Sequence, residues 1–403
     1  MNANQHSIQE KIKQHGEIMS YTKNFFNEKN DWSKHKDRLL ERYIVPYFTK
    51  VMSTGIDIVL IDGFAGKGKF EDGTIGSPLI IKNAIYRAKH ISKFNTKITP
   101  YFIDFEHAEE LKKNLSDKNA IVISGDYRVE VPKILSTVKG KNLFLYVDPF
   151  GIKYLDFNIF ANLNQNDYKS IELLLNLNSF GFIREACRLL KYKQEDFDDD
   201  LPEIHYSTDT TKNTIDNMIK IANGDYWIEI VKKYHEGCYD IFEAERKFLE
   251  KYIEELKKVF TYVYCIPIKK SKSNLSKYQM IFATNHKDGA MLMADNMIKC
   301  NNEIQAEINK GQVWLFDYNY SLNNIEKDLM DVVDGNLINL KDLYDKIYNK
   351  YGFLYLTSDI NNCLKKLETE GKVVIYRYPS TTKNGKPTKS MDLKNHTIKI
   401  KRK

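Results

Sequence analysis

The stretch Ile56-Asp-Ile-Val-Leu-Ile-Asp-Gly-Phe-Ala-Gly-Lys-Gly68 joins an apolar run to an acidic residue and a glycine-rich turn. Continuous Val, Ile and Leu are typical of a parallel strand that is buried on both faces. Glycines directly after such a strand let backbone N–H groups approach an anionic or carboxylate-bearing ligand closely. The stretch therefore predicts an α/β sheet with a nucleotide-like ligand at the end of its first strand.

The turn partly matches the phosphate-binding loop of P-loop nucleotidases. Gly63-Phe-Ala-Gly-Lys-Gly-Lys69 fits up to the last position, where Phe70 replaces the Ser or Thr that would bind magnesium. Two glycines and a proline follow, so we expect the next helix to begin only at Pro78, with Ser77 as its N-cap. The dinucleotide pattern G-x-G-x-x-G is only half matched. A P-loop nucleotidase is therefore the less favoured alternative.

Acidic residues also follow the next predicted strands. Thr99 to Asp104 ends in an acid, Asp126 follows the run from Ala120 and a turn glycine, and Asn142 to Val147 leads into Asp148. Because the carboxyl ends of parallel strands bind ligands in open α/β sheets, this pattern favours S-adenosylmethionine (SAM). Asp104 would accept from the ribose hydroxyls and Asp126 from the adenine amino group, although either acid could instead cap a helix.

The sequence offers ten candidate SAM-binding residues along these turns. Asp62 is expected to orient the glycine turn or the ligand's amino group. The candidates are Asp62, Phe64, Ala65, Gly66, Gly68, Ser77, Asp104, Phe105, Asp126 and Tyr127.

Asp148-Pro149-Phe150-Gly151 is the most specific motif, and we predict that these four residues are catalytic. Enzymes that methylate exocyclic amino groups of bases carry Asp/Asn-Pro-Pro-aromatic or a close variant here. Asp148 would hold the target amine and Phe150 would stack on the base, because the reaction depends on positioning and charge stabilisation. The form of the motif resembles that of the tRNA guanine-N2 dimethyltransferases. A tight turn after a strand is the alternative interpretation.

Taken together, these motifs resemble the three-Cys-motif partner proteins, a bacterial family with a methyltransferase-like fold. The resemblance rests on the motif at 62–68, on Gly76-Ser77-Pro78, on Asp104 and on the motif at 148–151, with Trp32-Ser-Lys-His-Lys36 and Tyr43 upstream. The resemblance implies that this chain ends in a winged helix. It also implies a partner, encoded next to it, with three clustered cysteines that suggest a radical-SAM iron–sulfur site.

Composition is that of a cytoplasmic enzyme. The sequence of 403 residues is long enough for two domains, with 42% hydrophobic and 29% charged residues. The sequence has no run of 18 apolar residues and no amino-terminal stretch that resembles a secretory signal. We therefore expect that the protein neither associates with a membrane nor is secreted. The five cysteines are far apart and lack C-x-x-C spacing, which argues against a metal site in this chain.

Three regions are predicted. Residues 1–54 form a helical segment with an apolar face. Residues 55–315 form a doubly wound, seven-stranded, Rossmann-like methyltransferase domain; its last three strands are Ser170 to Leu177, Phe260 to Pro267 and Lys277 to Thr284, and a helical insertion lies at about 192–258. That insertion includes an acidic run expected to be a solvated loop, and it could shape the substrate pocket.

Residues 320–403 are predicted to form a winged helix-turn-helix domain with a basic wing. From Lys372 to Lys403 there are ten Lys and Arg against one acid, a charge of +9, whereas the whole chain carries +7. The rest of the chain therefore totals 7 − 9 = −2. Such a local charge suits nucleic-acid phosphates, although the domain could equally serve partner contacts. The candidate nucleic-acid-binding residues are Arg377, Lys383, Lys386 and Lys389.

The sequence therefore predicts a SAM-dependent methyltransferase that acts on a nucleic-acid base, DNA or RNA, together with a three-cysteine radical-SAM-like partner. A non-catalytic protein that binds SAM and nucleic acid is the main alternative.

Overall fold

The computed structural model describes residues 31–163, 167–192, 214–269, 276–308, 324–382 and 384–403. The chain divides into two compact units, Met1–His286 and Lys287–Lys403, so the division falls before the predicted boundary at 315. Among the described residues, none of the helices combines the length and the apolar character needed to cross a lipid bilayer.

A seven-stranded sheet forms the centre of the first unit, in the order β3-β2-β1-β4-β5-β7-β6. β1 to β5 are parallel, and β7 runs antiparallel to both of its neighbours. Chain order reverses between β1 and β4, so the ligand-binding crevice of such a sheet is expected where these two strands end. The strands are β1 (Ile58–Asp62), β2 (Ile98–Asp104), β3 (Ile121–Ser124), β4 (Asn142–Val147), β5 (Ser170–Leu177), β6 (Tyr262–Lys269) and β7 (Ser276–Thr284).

Helices cover both faces of this sheet. The fifth strand matches its predicted bounds, and β6 and β7 form the predicted antiparallel pair. The described helices of this unit are α1 (Asp31–Met52), α2 (Ser77–Ile91), α3 (Ala108–Leu115), α4 (Tyr127–Thr137), α5 (Asn158–Ala161), α6 (Ser179–Leu189), α7 (Ile215–Ala222), α8 (Tyr226–His235) and α9 (Ile241–Lys257).

Helix α1 packs on one face of the sheet through its aromatic side chains. Tyr47 lies 5.1 Å from Phe144 of β4 and Tyr43 lies 5.3 Å from Phe282 of β7, measured between ring centroids. All four rings are buried. The apolar spacing of this segment therefore builds part of the core, as the sequence predicted for a packing helix.

The opposite face is covered by helices of the predicted insertion. Leu143 and Leu145 of β4 belong to the same buried cluster as Trp227 of α8 and Phe248 and Tyr252 of α9. Alternate residues of β4 therefore contact the two helical layers, which explains why the strand is apolar throughout. The described part of the insertion is a core layer, and the acidic run at 195–200 lies outside the described residues.

In the second unit, helices pack against a small antiparallel sheet of order β8-β10-β9. Ile398 and Ile400 of β10 are buried, whereas Lys399 and Lys401 lie on the other face. The elements are α10 (Lys287–Ile308), α11 (Ile325–Val332), β8 (Ile338–Asn339), α12 (Leu340–Tyr351), α13 (Thr357–Thr369), β9 (Val373–Tyr378) and β10 (Thr397–Arg402).

Candidate functional site

Asp62 ends β1 and holds the glycine turn that follows. Its carboxylate accepts from the backbone N–H of Phe64 at 3.2 Å and from the hydroxyl of Ser77 at 2.7 Å. The side chain is fully buried, and burial raises the pKa of Asp62 to about 7, although both hydrogen bonds oppose the shift. Of the two predicted roles, orienting the turn is the one that these contacts serve.

The rest of the turn is tied to neighbouring strands. Gly63 donates its N–H to the carbonyl of Tyr146 and Ala65 donates to the carbonyl of Ile103, both at 2.9 Å. Phe64 packs on the ring of Tyr127, with centroids 4.9 Å apart. The turn is therefore fixed between β2 and β4, at the point where the chain order reverses.

Two glycines of the turn adopt the left-handed conformation, with φ +59° at Gly66 and +76° at Gly68. A Cβ at Gly68 would also lie 2.7 Å from the side chain of Leu111. Both positions thus favour glycine for a structural reason.

Ser77 is not the N-cap predicted for α2. The helix begins at Ser77 itself, with Gly76 as N-cap, because the Ser77 hydroxyl donates to Asp62 and serves the turn. Between Gly68 and Ser77 the chain forms a bridge from Lys69 to Ile75, with Lys69 exposed. A P-loop requires a helix to start at this lysine, so the geometry does not support the nucleotidase interpretation.

Asp104 ends β2 beside the turn. Its Oδ2 accepts from the N–H of Gly66 at 2.8 Å, and Oδ1 accepts from the N–H groups of Glu106 and His107 at 3.0 and 2.6 Å. A carboxylate offers about four acceptor positions, so about one is left for a ribose hydroxyl. The neighbouring Phe105 ring is 73% exposed and could stack on an adenine ring.

Asp126 is the N-cap of α4, the alternative that the sequence left open. It accepts from the backbone N–H of Arg128 at 2.8 Å and pairs with the Arg128 guanidinium at 2.6 Å. These hydrogen bonds lower the pKa of Asp126. The adjacent Tyr127 is buried, and its hydroxyl has no hydrogen-bond partner among the described residues. The contacts of both residues are structural.

Asp148, directly after β4, lies at the centre of a polar cluster at the carboxyl edge of the sheet. Lys36 of α1 donates to both carboxylate oxygens, at 2.9 Å each. Asn176 near the end of β5 donates its amide N–H to Oδ1 at 2.7 Å, and Tyr146 donates its hydroxyl to Oδ2 at 3.3 Å. Side chains of α1, β4 and β5 therefore converge on this carboxylate.

The motif that begins with Asp148 turns sharply after the strand. Gly151 has φ +92° and donates its N–H to the carbonyl of Pro149 at 2.9 Å. Phe150 is 45% exposed. The turn therefore leaves an aromatic ring partly open to solvent two residues after Asp148.

Lys36, Tyr146 and Asn176 were not among the predicted site residues. Lys36 lies three, four and seven residues before Leu39, Leu40 and Tyr43, on the apolar stripe of α1. A charged residue on a buried stripe indicates a buried partner, so the sequence contained this signal. From the sequence, Asn176 is a turn or polar pocket residue at the end of β5, and the adjacency of β4 and β5 brings it to Asp148.

In the second unit, the predicted phosphate contact by Arg377 is not supported. Arg377 is buried, and its guanidinium pairs with both carboxylate oxygens of Glu368 at 2.7 and 2.8 Å. It ties β9 to α13. Lys386 and Lys389 are exposed and have no ion pair with the residues that the structure describes, whereas Lys383 lies outside those residues.

Within the described ranges, no group of three or more His, Cys, Asp or Glu side chains is placed to hold a metal ion. The strand order and the antiparallel β7 are those of a methyltransferase-like α/β fold, and the crevice at the switch point contains both predicted motifs. The contacts fit SAM in part: Phe105 is open to an adenine, whereas Asp104 has little spare acceptor capacity.

Comparisons with known proteins add little. No family model matches the chain, and no curated protein matches it. Among solved structures it is similar to a spermidine synthase in complex with the transition state analogue AdoDATO, with 9% identity and a TM-score of 0.32, over 68% of this chain and 65% of the other. The chain thus spans just under two thirds of that protein's length.

A second similarity is to the plantazolicin methyltransferase BamL in complex with a triazolic desmethylPZN analog and SAH, with 15% identity and a TM-score of 0.27, over 69% of this chain and 99% of the other. TM-scores this low support no conclusion about this chain, and the fold assignment rests on its own strand order.

Proposed function

We propose that the chain is a SAM-dependent methyltransferase that acts on an exocyclic amino group of a nucleic-acid base. The observation that carries the proposal is the Asp148 cluster, in which a carboxylate and an exposed aromatic ring follow β4 at the switch point. Reactions of this kind depend on positioning and on stabilisation of charge.

The residues of the crevice at the ends of β1 and β4 would hold SAM, which supplies an electrophilic methyl group when bound. Phe105 would stack on the adenine ring, and Asp104 would accept one hydrogen bond from the ribose. Asp62 and Ser77 keep the glycine turn in place. Phe150 would stack on the target base, and Asp148 would orient its amino nitrogen once that nitrogen replaces the Lys36 ammonium beside the carboxylate.

The second unit would bind the nucleic acid as a winged helix. Three helices, α11 to α13, precede the β9–β10 hairpin, and the segment between the two strands carries Lys386 and Lys389. The α13 helix is less suited to phosphate, because its Lys366 pairs with Glu326 and Glu370. We also propose a three-cysteine radical-SAM-like partner, which rests on the sequence resemblance alone.

The test is methyl transfer from labelled SAM to cellular DNA and RNA by the full chain and by Asp148→Asn. We expect the variant to lose about 100-fold or more in transfer while SAM still binds in calorimetry. Asp156→Asn is the matched control, since Asp156 lies in the same loop and accepts from Asn158. Absence of SAM binding by the unaltered chain would refute the proposal.

One observation favours a second candidate, a non-catalytic protein that binds SAM and nucleic acid. While Lys36 is in place, the Asp148 carboxylate accepts four hydrogen bonds from this chain, which leaves no acceptor position for a target amine. SAM binding without methyl transfer, both with and without the three-cysteine protein, would establish this candidate.

A further inference from the structure

Lys36 is a charged residue in a buried place. It lies on the apolar stripe of α1 and is only 7% exposed. Taking an ammonium group out of water costs several kcal/mol, and a buried ion pair repays this only with good geometry. A well-packed apolar side chain would stabilise the helix at least as well, so the ammonium suggests a chemical role.

The surroundings of the Lys36 nitrogen are those expected around a methyl acceptor. It lies 2.9 Å from each of the two oxygens of Asp148. The ring of Tyr278 lies 4.7 Å away, measured from Nζ to the centroid. An amino nitrogen is thus held by a carboxylate beside an aromatic ring.

No second nitrogen can take this place while Lys36 remains. Oδ1 of Asp148 accepts from Lys36 and Asn176, and Oδ2 accepts from Lys36 and Tyr146. These four bonds fill the acceptor positions of a carboxylate. The nitrogen that Asp148 orients in this structure is therefore Lys36 Nζ.

We propose that Lys36 is a methyl acceptor within its own site, so that the protein methylates itself at this lysine. This inference rests on the proposed SAM-dependent activity. The Lys36 ammonium passes a proton to Asp148, and the freed lone pair forms the N–C bond. The bond from methyl to sulfur breaks with its electron pair remaining on sulfur, which leaves S-adenosylhomocysteine and methyl-lysine.

The experiment incubates the full chain with SAM that carries a deuterated methyl group and locates the label by tandem mass spectrometry. We expect label on Lys36 and none on the exposed Lys50 of the same helix. Asp148→Asn should lower the labelling about tenfold or more, because it removes the proton acceptor. Lys36→Arg tests whether other lysines take up the methyl group.

A second readout needs no SAM. Reductive methylation with formaldehyde and borane should modify Lys36 far more slowly than Lys50. In Asp148→Asn the rates of modification of the two lysines should be closer to each other. Equal reactivity of the two lysines in the unaltered chain would show that Lys36 is not held as described, and would overturn the inference.

The outcomes separate this inference from the proposed function. Calorimetric binding of SAM with an unmodified Lys36 would overturn the inference and leave the proposed function standing. Labelling spread equally over many lysines would also overturn it. Labelled Lys36 without any methylated nucleic acid would support the inference and count against the nucleic-acid substrate. Absence of SAM binding would overturn both.

Discussion

Asp62 shows how one buried carboxyl group makes stability depend on pH. Burial raises the pKa of Asp62 from 3.8 to about 7, so the folded state holds its proton over a range in which the unfolded state has lost it. Its contribution to stability is fully present below pH about 4 and is lost as the pH rises towards 7.

The unfolding free energy of the unaltered chain should decline between about pH 4 and 7. We expect that decline to be absent in Asp62→Asn. The amide is nearly isosteric and can still accept from the N–H of Phe64. Urea unfolding of both proteins across this range measures the difference. A constant difference in unfolding free energy across the range would contradict the prediction.

The packing of Tyr127 requires a glycine at position 63. An added Cβ would lie 2.5 and 2.8 Å from two ring atoms of Tyr127, which is buried. Overpacking of this kind costs about 1–3 kcal/mol, so we expect Gly63→Ala to lower the unfolding free energy by that amount.

Gly335→Ala is the control, because its Cβ would meet no atom within 4 Å. A double variant that also carries Tyr127→Leu should recover part of the loss. If the two substitutions were strictly additive, the steric explanation would be wrong.

At the scale of the elements, a buried hydrogen bond helps to join α1 to the sheet. Tyr43 donates its hydroxyl to Glu172 of β5 at 2.5 Å. Burial raises the pKa of Glu172 to about 8, and the Tyr43 bond opposes the shift. The stability that protonated Glu172 contributes is present below pH about 4.5 and declines as the pH rises towards 8.

Replacing Glu172 by Gln should therefore flatten the stability profile between about pH 4.5 and 8. Tyr43→Phe should cost about 1–3 kcal/mol, because it leaves a buried carboxyl group without its donor. Denaturant titrations at several pH values test both effects. The exposed Glu254→Gln serves as control, and a matching change in that variant would refute the assignment to Glu172.

The elements were largely predictable, whereas their contacts were not. Continuous apolar runs and caps located β1, β4 and β5, because strands buried on both faces leave a local signal. The Asp148 cluster joins residues 112 positions apart, and no local pattern encodes such a pairing. The burial of Arg377 was missed because its partner Glu368, although only nine positions away, lies on another element.

At the scale of the whole molecule, charge is unevenly distributed along the chain. The last 32 residues carry +9 and the remainder −2. If the second unit binds nucleic acid through phosphates, affinity should fall steeply with salt concentration. We expect Lys386→Ala with Lys389→Ala to lower the slope of log affinity against log salt by about 2.

Lys247→Ala with Lys251→Ala is the charge-matched control, because both lysines lie on α9 of the first unit. Fluorescence anisotropy with a labelled oligonucleotide at several salt concentrations gives both slopes. Equal slopes for the two double variants would exclude a specific role of the basic segment.

The position of β7 between β5 and β6 has a consequence for synthesis on the ribosome. β6 is made before β7, yet β7 is the strand that pairs with β5. Until residue 284 has left the exit tunnel, the hydrogen-bonding edge of β5 stays open and β6 has no partner. Open strand edges are sites of aggregation, so a nascent chain stalled shortly before β7 would be especially dependent on chaperones.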